Sequence, residues 1–331
     1  MTISNPIQLS ESPLVTSGTD ELKDEALEPS LGTALQVHNL VKSFSGRKVV
    51  DGVSFDLHRG EIFGFLGPNG SGKTTTMRMA LDIIRPDSGV VGLLGETPTR
   101  EVMRRVGYLP EERGLLQQAR VRDVLRYLGR LKGLDAVIAE ARAEEMLHRV
   151  GLAEQLNAKV QELSRGMSQL VQFAGALLHE PELIILDEPF SGLDPLNVAL
   201  MKDIIREEQR RGASIIFSTH IMSDVEEMCE RVLLIYNGKV LVYGPLMDLK
   251  RARGTRTVSI TADRRPSSVP GVTALQATNG AYQYSLGPGA EPKAVLRSFI
   301  DADIEVQRFD VALPTLNEIF IEEVNHARDN S

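Results

Sequence analysis

Nine consecutive residues, Gly67-Pro68-Asn69-Gly70-Ser71-Gly72-Lys73-Thr74-Thr75, follow directly on the apolar run 61–66 (EIFGFL) and fit the pattern G-x-x-x-x-G-K-[ST]. Each position has a physical reason. Glycines at 67, 70 and 72 let the backbone turn left-handed and bring successive N–H groups against phosphate oxygens. The helix expected over 74–84 points its positive end at the same spot. Lys73 supplies a cation for β- and γ-phosphates, and the Thr74 hydroxyl can ligate Mg²⁺. A buried strand running through such a loop into a helix is an α/β unit, and its ligand is a nucleotide phosphate chain.

Two more apolar runs behave like 61–66. Residues 182–186 (ELIIL) and 213–217 (ASIIF) are each followed at once by polar residues. Continuous apolar runs separated by helical patterns predict parallel strands covered on both faces, with ligands beyond the strands' carboxyl ends. Alternation at 35–40 and 49–57 predicts an antiparallel edge. Apolar spacing of three and four predicts helices at 121–133, 136–150 and 169–179. After 249 the texture changes: strands are expected at 256–262, 272–277 and 281–286, and helices at 292–300 and 315–324. The expected organisation is a 1–31 tail, a 32–249 nucleotide-binding domain with a helical subdomain at about 112–168, and a small 250–328 α+β domain.

Composition narrows the function. The first 31 residues carry six acids against one base, Lys23, and too little apolar surface to offset ordering entropy, so they read as a disordered acidic tail. Across 331 residues, 37 Lys+Arg against 45 Asp+Glu leave a net charge of −8, the wrong balance for a nucleic-acid partner. No run approaches the roughly 18 apolar residues needed to cross a bilayer. The start has no basic flank or apolar core of a secretory signal. The lone Cys229 permits no intrachain disulfide and is expected to be an inert core thiol.

Chemistry-bearing residues stand at the strand ends. Run 183–186 ends in Asp187-Glu188-Pro189, and adjacent strand residues point to opposite faces, so the two carboxylates can divide two tasks. Asp187 is the candidate metal ligand and Glu188 the candidate base for an attacking water. Run 213–217 ends in Ser218-Thr219-His220, which sets His220 where a γ-phosphate would lie.

GPNGSGKTT, LSRGM (163–167), LIILDEP (183–189), SGLD (191–194) and STH (218–220) occur in this order. Together they resemble the ATPase subunit of an ATP-binding cassette (ABC) transporter, over about 35–245. The closing PTLNEIFIEEV (314–324) resembles the C-terminal extension of a sodium- and drug-efflux-like branch of ABC-2 ATPases. The resemblance implies an α/β P-loop NTPase (RecA-like) core with an antiparallel β edge and a helical subdomain. It implies an ATPase that uses ATP and Mg²⁺, dimerises with a second copy around two ATP, and powers a separate ABC-2-type transmembrane permease from the cytoplasmic face of the membrane. Export is favoured over import by the C-terminal resemblance alone.

The resemblance also assigns further roles. Phe44 would stack on adenine, with Val49 or Val50 nearby. Ser164 and Gly166 would face the γ-phosphate held by the partner, and Asp194 would couple the two sites. Glu111 replaces the usual glutamine beside Mg²⁺, and Arg165 and Met167 depart from the signature pattern. With Lys73, Asp187, Glu188 and His220 present, hydrolysis is still expected. Two other classes compete: a soluble ABC ATPase outside transport, and a nucleotide sensor that does not hydrolyse.

Overall fold

A computed structural model of the chain describes residues 32–329 apart from 113, 254–256, 279–280 and 288. The expected tail, 1–31, lies outside the described residues. Strands β1 (Thr33–Phe44) and β2 (Arg47–His58) form an antiparallel hairpin. Strand β3 (Ile62–Leu66) is buried at every residue. Helix α1 (Lys73–Ala80) follows the glycine loop and is shorter than the expected 74–84. The chain bends there, with Asp82 at a φ of 55°. Strand β4 (Ser88–Leu93) then returns to β1, completing a sheet of order β2-β1-β4.

Helix α2 (Arg100–Arg104) leads into β5 (Val106–Leu109), and three helices follow: α3 (Val121–Leu131), α4 (Ala136–Arg149) and α5 (Arg165–Leu177). Their apolar stripes face inward: Val121, Val124 and Leu125 on α3, and Ala139, Ala143, Met146 and Leu147 on α4, are buried. Helix α5 starts at 165 rather than 169, because the Ser164 hydroxyl accepts the Met167 N–H at 3.2 Å and caps the helix early. Next come β6 (Leu183–Asp187), α6 (Pro195–Arg210), β7 (Ser214–Thr219), α7 (Met222–Met228), β8 (Arg231–Tyr236) and β9 (Lys239–Pro245).

The second sheet runs β5-β6-β7-β3-β8-β9, parallel except for β9. Its period of two is read directly in the core. Leu66, Ile184, Leu186, Ile215 and Phe217 pack on one face; Phe63, Phe65, Leu183, Ile185 and Ile216 pack on the other. The carboxyl ends of β3, β6 and β7 are therefore side by side.

The chain continues through α8 (Leu246–Ala252), β10 (Thr257–Ala262), β11 (Val272–Thr278), β12 (Ala281–Leu286), α9 (Pro292–Asp301), β13 (Val306–Ala312) and α10 (Leu316–Asp329). An antiparallel sheet of order β11-β12-β10-β13 packs Val258, Ile260 and Tyr284 against Val295 and Phe299 of α9. Strand β13 is an addition to the sequence reading: Arg308 and Asp310 flank Phe309 and mask its alternation. Leu316 and Ile319 of α10 join the core of the second sheet. Among the described residues no helix is long and apolar enough to cross a membrane.

Candidate active site

The glycine loop is held open by its neighbours. Gly70 and Gly72 take φ of 77° and 111°, which only glycine adopts freely. A Cβ at Gly67 would overlap the Ile235 carbonyl oxygen and the Ser71 hydroxyl, so the loop lies flush against the end of β8. The turn after β8 fixes it further, with Gly238 N–H donating to the Ser71 carbonyl at 2.9 Å. Ser71 Oγ is buried with no hydrogen-bond partner among the described residues, as expected of a group left for a ligand. Lys73 is buried and folds back on the loop, donating to Gly67 O at 2.7 Å and Pro68 O at 3.3 Å. Its ammonium also lies 3.2 Å from Glu188 Oε1.

Parallel register sets the carboxylates. Asp187 on β6 is level with Ser218 on β7, and the Ser218 hydroxyl donates to Asp187 Oδ1 at 2.5 Å. The same hydroxyl accepts the Glu188 N–H at 3.0 Å, so one side chain locks both acids. Burial raises the Asp187 carboxyl above its ordinary range, opposed by the Ser218 and Thr74 hydroxyls. Strand alternation does not separate the two acids: Glu188 has already left the strand, with a φ of 49°. That left-handed turn brings its carboxylate back over the loop, between Lys73 and His220, whose Nδ1 is 3.0 Å from Oε2. Ser218 carries no role in the sequence reading. Its signal was there, since it opens the Ser-Thr-His triplet, but the register that pairs it with Asp187 is tertiary.

A cavity of about 300 Å³ is lined by part of the predicted set, Asn69, Gly70, Gly72, Lys73, Thr74, Thr75, Glu111 and Glu188, with Val49 at its wall, while Gly67, Pro68, Ser71, Asp187 and His220 are not in its lining. Phe44 stands outside this lining and is 46% exposed; Lys42 Nζ covers its ring at 5.6 Å. Asp87 fixes that corner, accepting from Lys42 Nζ at 2.8 Å and Ser43 N at 2.6 Å. Ser164 and Gly166 sit at the start of α5 and do not line the cavity, and Ser164 and Arg165 are exposed. Asp194 caps α6, accepting from Leu196 N and Asn197 N. A larger groove of about 570 Å³ takes in Leu193, Lys202 and His220 but no glycine-loop residue, so chemistry rather than size marks the site.

A hard divalent cation needs oxygen donors. Thr74 lines the cavity, and Asp187 Oδ2 is buried with no hydrogen-bond partner among the described residues. These donors fit Mg²⁺. Among the described residues no cluster of three His, Cys, Asp or Glu could hold a metal alone, so phosphate oxygens would complete the shell.

Comparison with known proteins finds two family matches and several similar chains. The family described as "ABC transporter" matches residues 50–191, and "ATP-binding protein DrrA1-3-like, C-terminal domain" matches 244–324. The uncharacterized ABC transporter ATP-binding protein YhaQ of Bacillus subtilis is 38% identical over 298 residues, covering 88% of this chain and 98% of that protein. The Nod factor export ATP-binding protein I of Burkholderia lata is 38% identical over 213 residues, 63% of this chain and 70% of that one. A solved ATP-binding subunit of an ABC transporter superposes with a TM-score of 0.63 at 32% identity, covering 67% of this chain and 94% of its own.

Proposed function

Because the chain belongs to the ABC transporter ATP-binding family, we propose that it binds and hydrolyses ATP to drive export through a separate transmembrane permease. One observation carries the reading: Lys73, Asp187, Glu188 and His220, from three strand ends, converge on one glycine loop. Backbone N–H groups of the loop, with Lys73, would bind the β- and γ-phosphates. Thr74 and Asp187 would hold Mg²⁺, which when bound neutralises phosphate charge, with Glu111 at the edge of the same cavity. Glu188 would take a proton from water as its oxygen attacks the γ-phosphorus and the bond to the bridging oxygen breaks, releasing ADP and phosphate. His220 would hold the Glu188 carboxylate and contact the γ-phosphate. Phe44 would stack on the base.

Ser164 and Gly166 lie away from their own chain's cavity. That supports a second copy placing them over ATP in trans, as a homodimer with two ATP. The relative named for Nod factor export and the C-terminal match favour an exporter with an ABC-2-type permease. The subunit would work peripherally on the cytoplasmic face of the membrane, beside that permease. We also place the domain division at 249/250. The soluble and sensor alternatives are not favoured by these relatives. The test is Glu188→Gln: it should bind ATP as well as the wild type and lose at least about 100-fold in turnover. Turnover within a few-fold of wild type would overturn the assignment of the base.

A further inference from the structure

Helix α10 touches the supports of the ATP site from behind, at two separate points. Its first turn is fixed by a capping box: Thr315 Oγ1 accepts the Glu318 N–H at 3.2 Å, and Glu318 Oε2 accepts the Thr315 N–H at 2.7 Å. The next donor, Leu316 N–H, goes across the fold to Glu226 Oε1 on α7 at 2.7 Å. The same oxygen holds Lys250 Nζ of α8 at 2.6 Å. Helix α7 begins two residues after His220. On its other side it lies so close to β3 that a Cβ at Gly64 would stand 2.5 Å from Val225 Cγ1. Helix α7, which follows His220 in the chain, is thus clamped between β3 and α10.

The second contact is one turn further along α10. Phe320 packs edge-on against Tyr236, with centroids 6.5 Å apart and planes at 73°. Tyr236 ends β8, between Ile235, whose carbonyl lies where Gly67 would carry a Cβ, and the turn whose Gly238 donates to Ser71. One route therefore runs from Glu226 through α7 to His220, and the other from Phe320 through the β8–β9 turn to the phosphate loop.

We infer that α10 is a positioning element for hydrolysis, with Glu226 and Phe320 as positioning residues. The inference rests on the hydrolytic reading above and adds to it the residues that position its groups. The two routes end on groups with different jobs, so they separate kinetically. Glu226→Ala loosens the histidine element and should lower kcat about fivefold with KM for ATP within about twofold. Phe320→Ala loosens the loop that grips the phosphates and should raise KM about fivefold with kcat within about twofold.

The test measures steady-state MgATP hydrolysis by the full chain, with Glu226→Gln and Phe320→Tyr as conservative partners. Glutamine keeps the acceptor for Leu316 N–H and tyrosine keeps the ring, so each should restore its parameter to within about twofold of wild type. That split with rescue is the expected result. Unchanged parameters in both alanine variants, or equal loss of kcat in both tracking only the fraction of folded protein by circular dichroism, would overturn the inference alone. A wild-type chain that turns over no ATP, or a Glu188→Gln chain that turns it over normally, would overturn the hydrolytic reading and the inference with it.

Discussion

At the scale of single residues the site is a set of mutually held charges. Lys73 and Glu188 are both buried and lie 3.2 Å apart, so each keeps the other from standing as an isolated buried ion. Lys73→Ala should therefore act twice: ATP binding weakens by at least about tenfold, and the fold loses about 3 kcal/mol, readable by calorimetry. Ser218→Ala is the more specific probe. It removes the donor to Asp187 and one of the two acceptors of Glu188 N–H, the Ser218 carbonyl remaining as the other, without touching the phosphate loop, and should cut kcat about tenfold while leaving KM within about twofold. The loop and both acids were legible in the sequence because their chemistry is local. The left-handed Glu188 and the double role of Ser218 were not, since one depends on how the chain leaves β6 and the other on register between β6 and β7.

At the scale of elements, close packing and burial set the outcome. Gly64 of β3 has α7 lying on it, so Gly64→Ala should drive Val225 and Cys229 outward. The expected cost is about 1–3 kcal/mol, seen as a lower thermal midpoint, with a fall in turnover because His220 moves with α7. Burial also leaves Cys229 inert, its thiol pushed well above the ordinary range. His179, after α5, is held neutral by burial, with its pKa lowered to about 4 and Nε2 3.2 Å from Val106 O. A folded-state pKa below the unfolded one means that protons favour unfolding. Stability should be intact above about pH 6.5 and fall by up to about 3 kcal/mol toward pH 4. Denaturant titrations should show that slope flattened in His179→Gln. Most strands and helices were readable from period. The early start of α5 needed its Ser164 cap, and β13 hid behind its charged flanks.

At the scale of the whole molecule, one large body carries the phosphate chemistry and a four-stranded sheet is tied to it through α10 and α8. Leu196, beside the Asp194 cap, is 83% exposed, and Ile221, beside His220, is 42% exposed. Both are next to groups assigned to a shared site, so a second copy should cover them when ATP is bound. Glu188→Gln should elute as a dimer with MgATP and as a monomer without nucleotide in size-exclusion chromatography. The ATP-site half of this organisation was legible because five motifs occur in order. The docking of α10 was not, because a capping box and an amphipathic run say that a helix starts at 315 and nothing about what it packs against. The most direct test of the central claim is co-isolation of tagged Glu188→Gln from solubilised membranes with MgATP, with mass spectrometry of whatever is bound. A polytopic membrane protein in stoichiometric amount is the expected result; a soluble dimer with no membrane partner would overturn the transporter assignment.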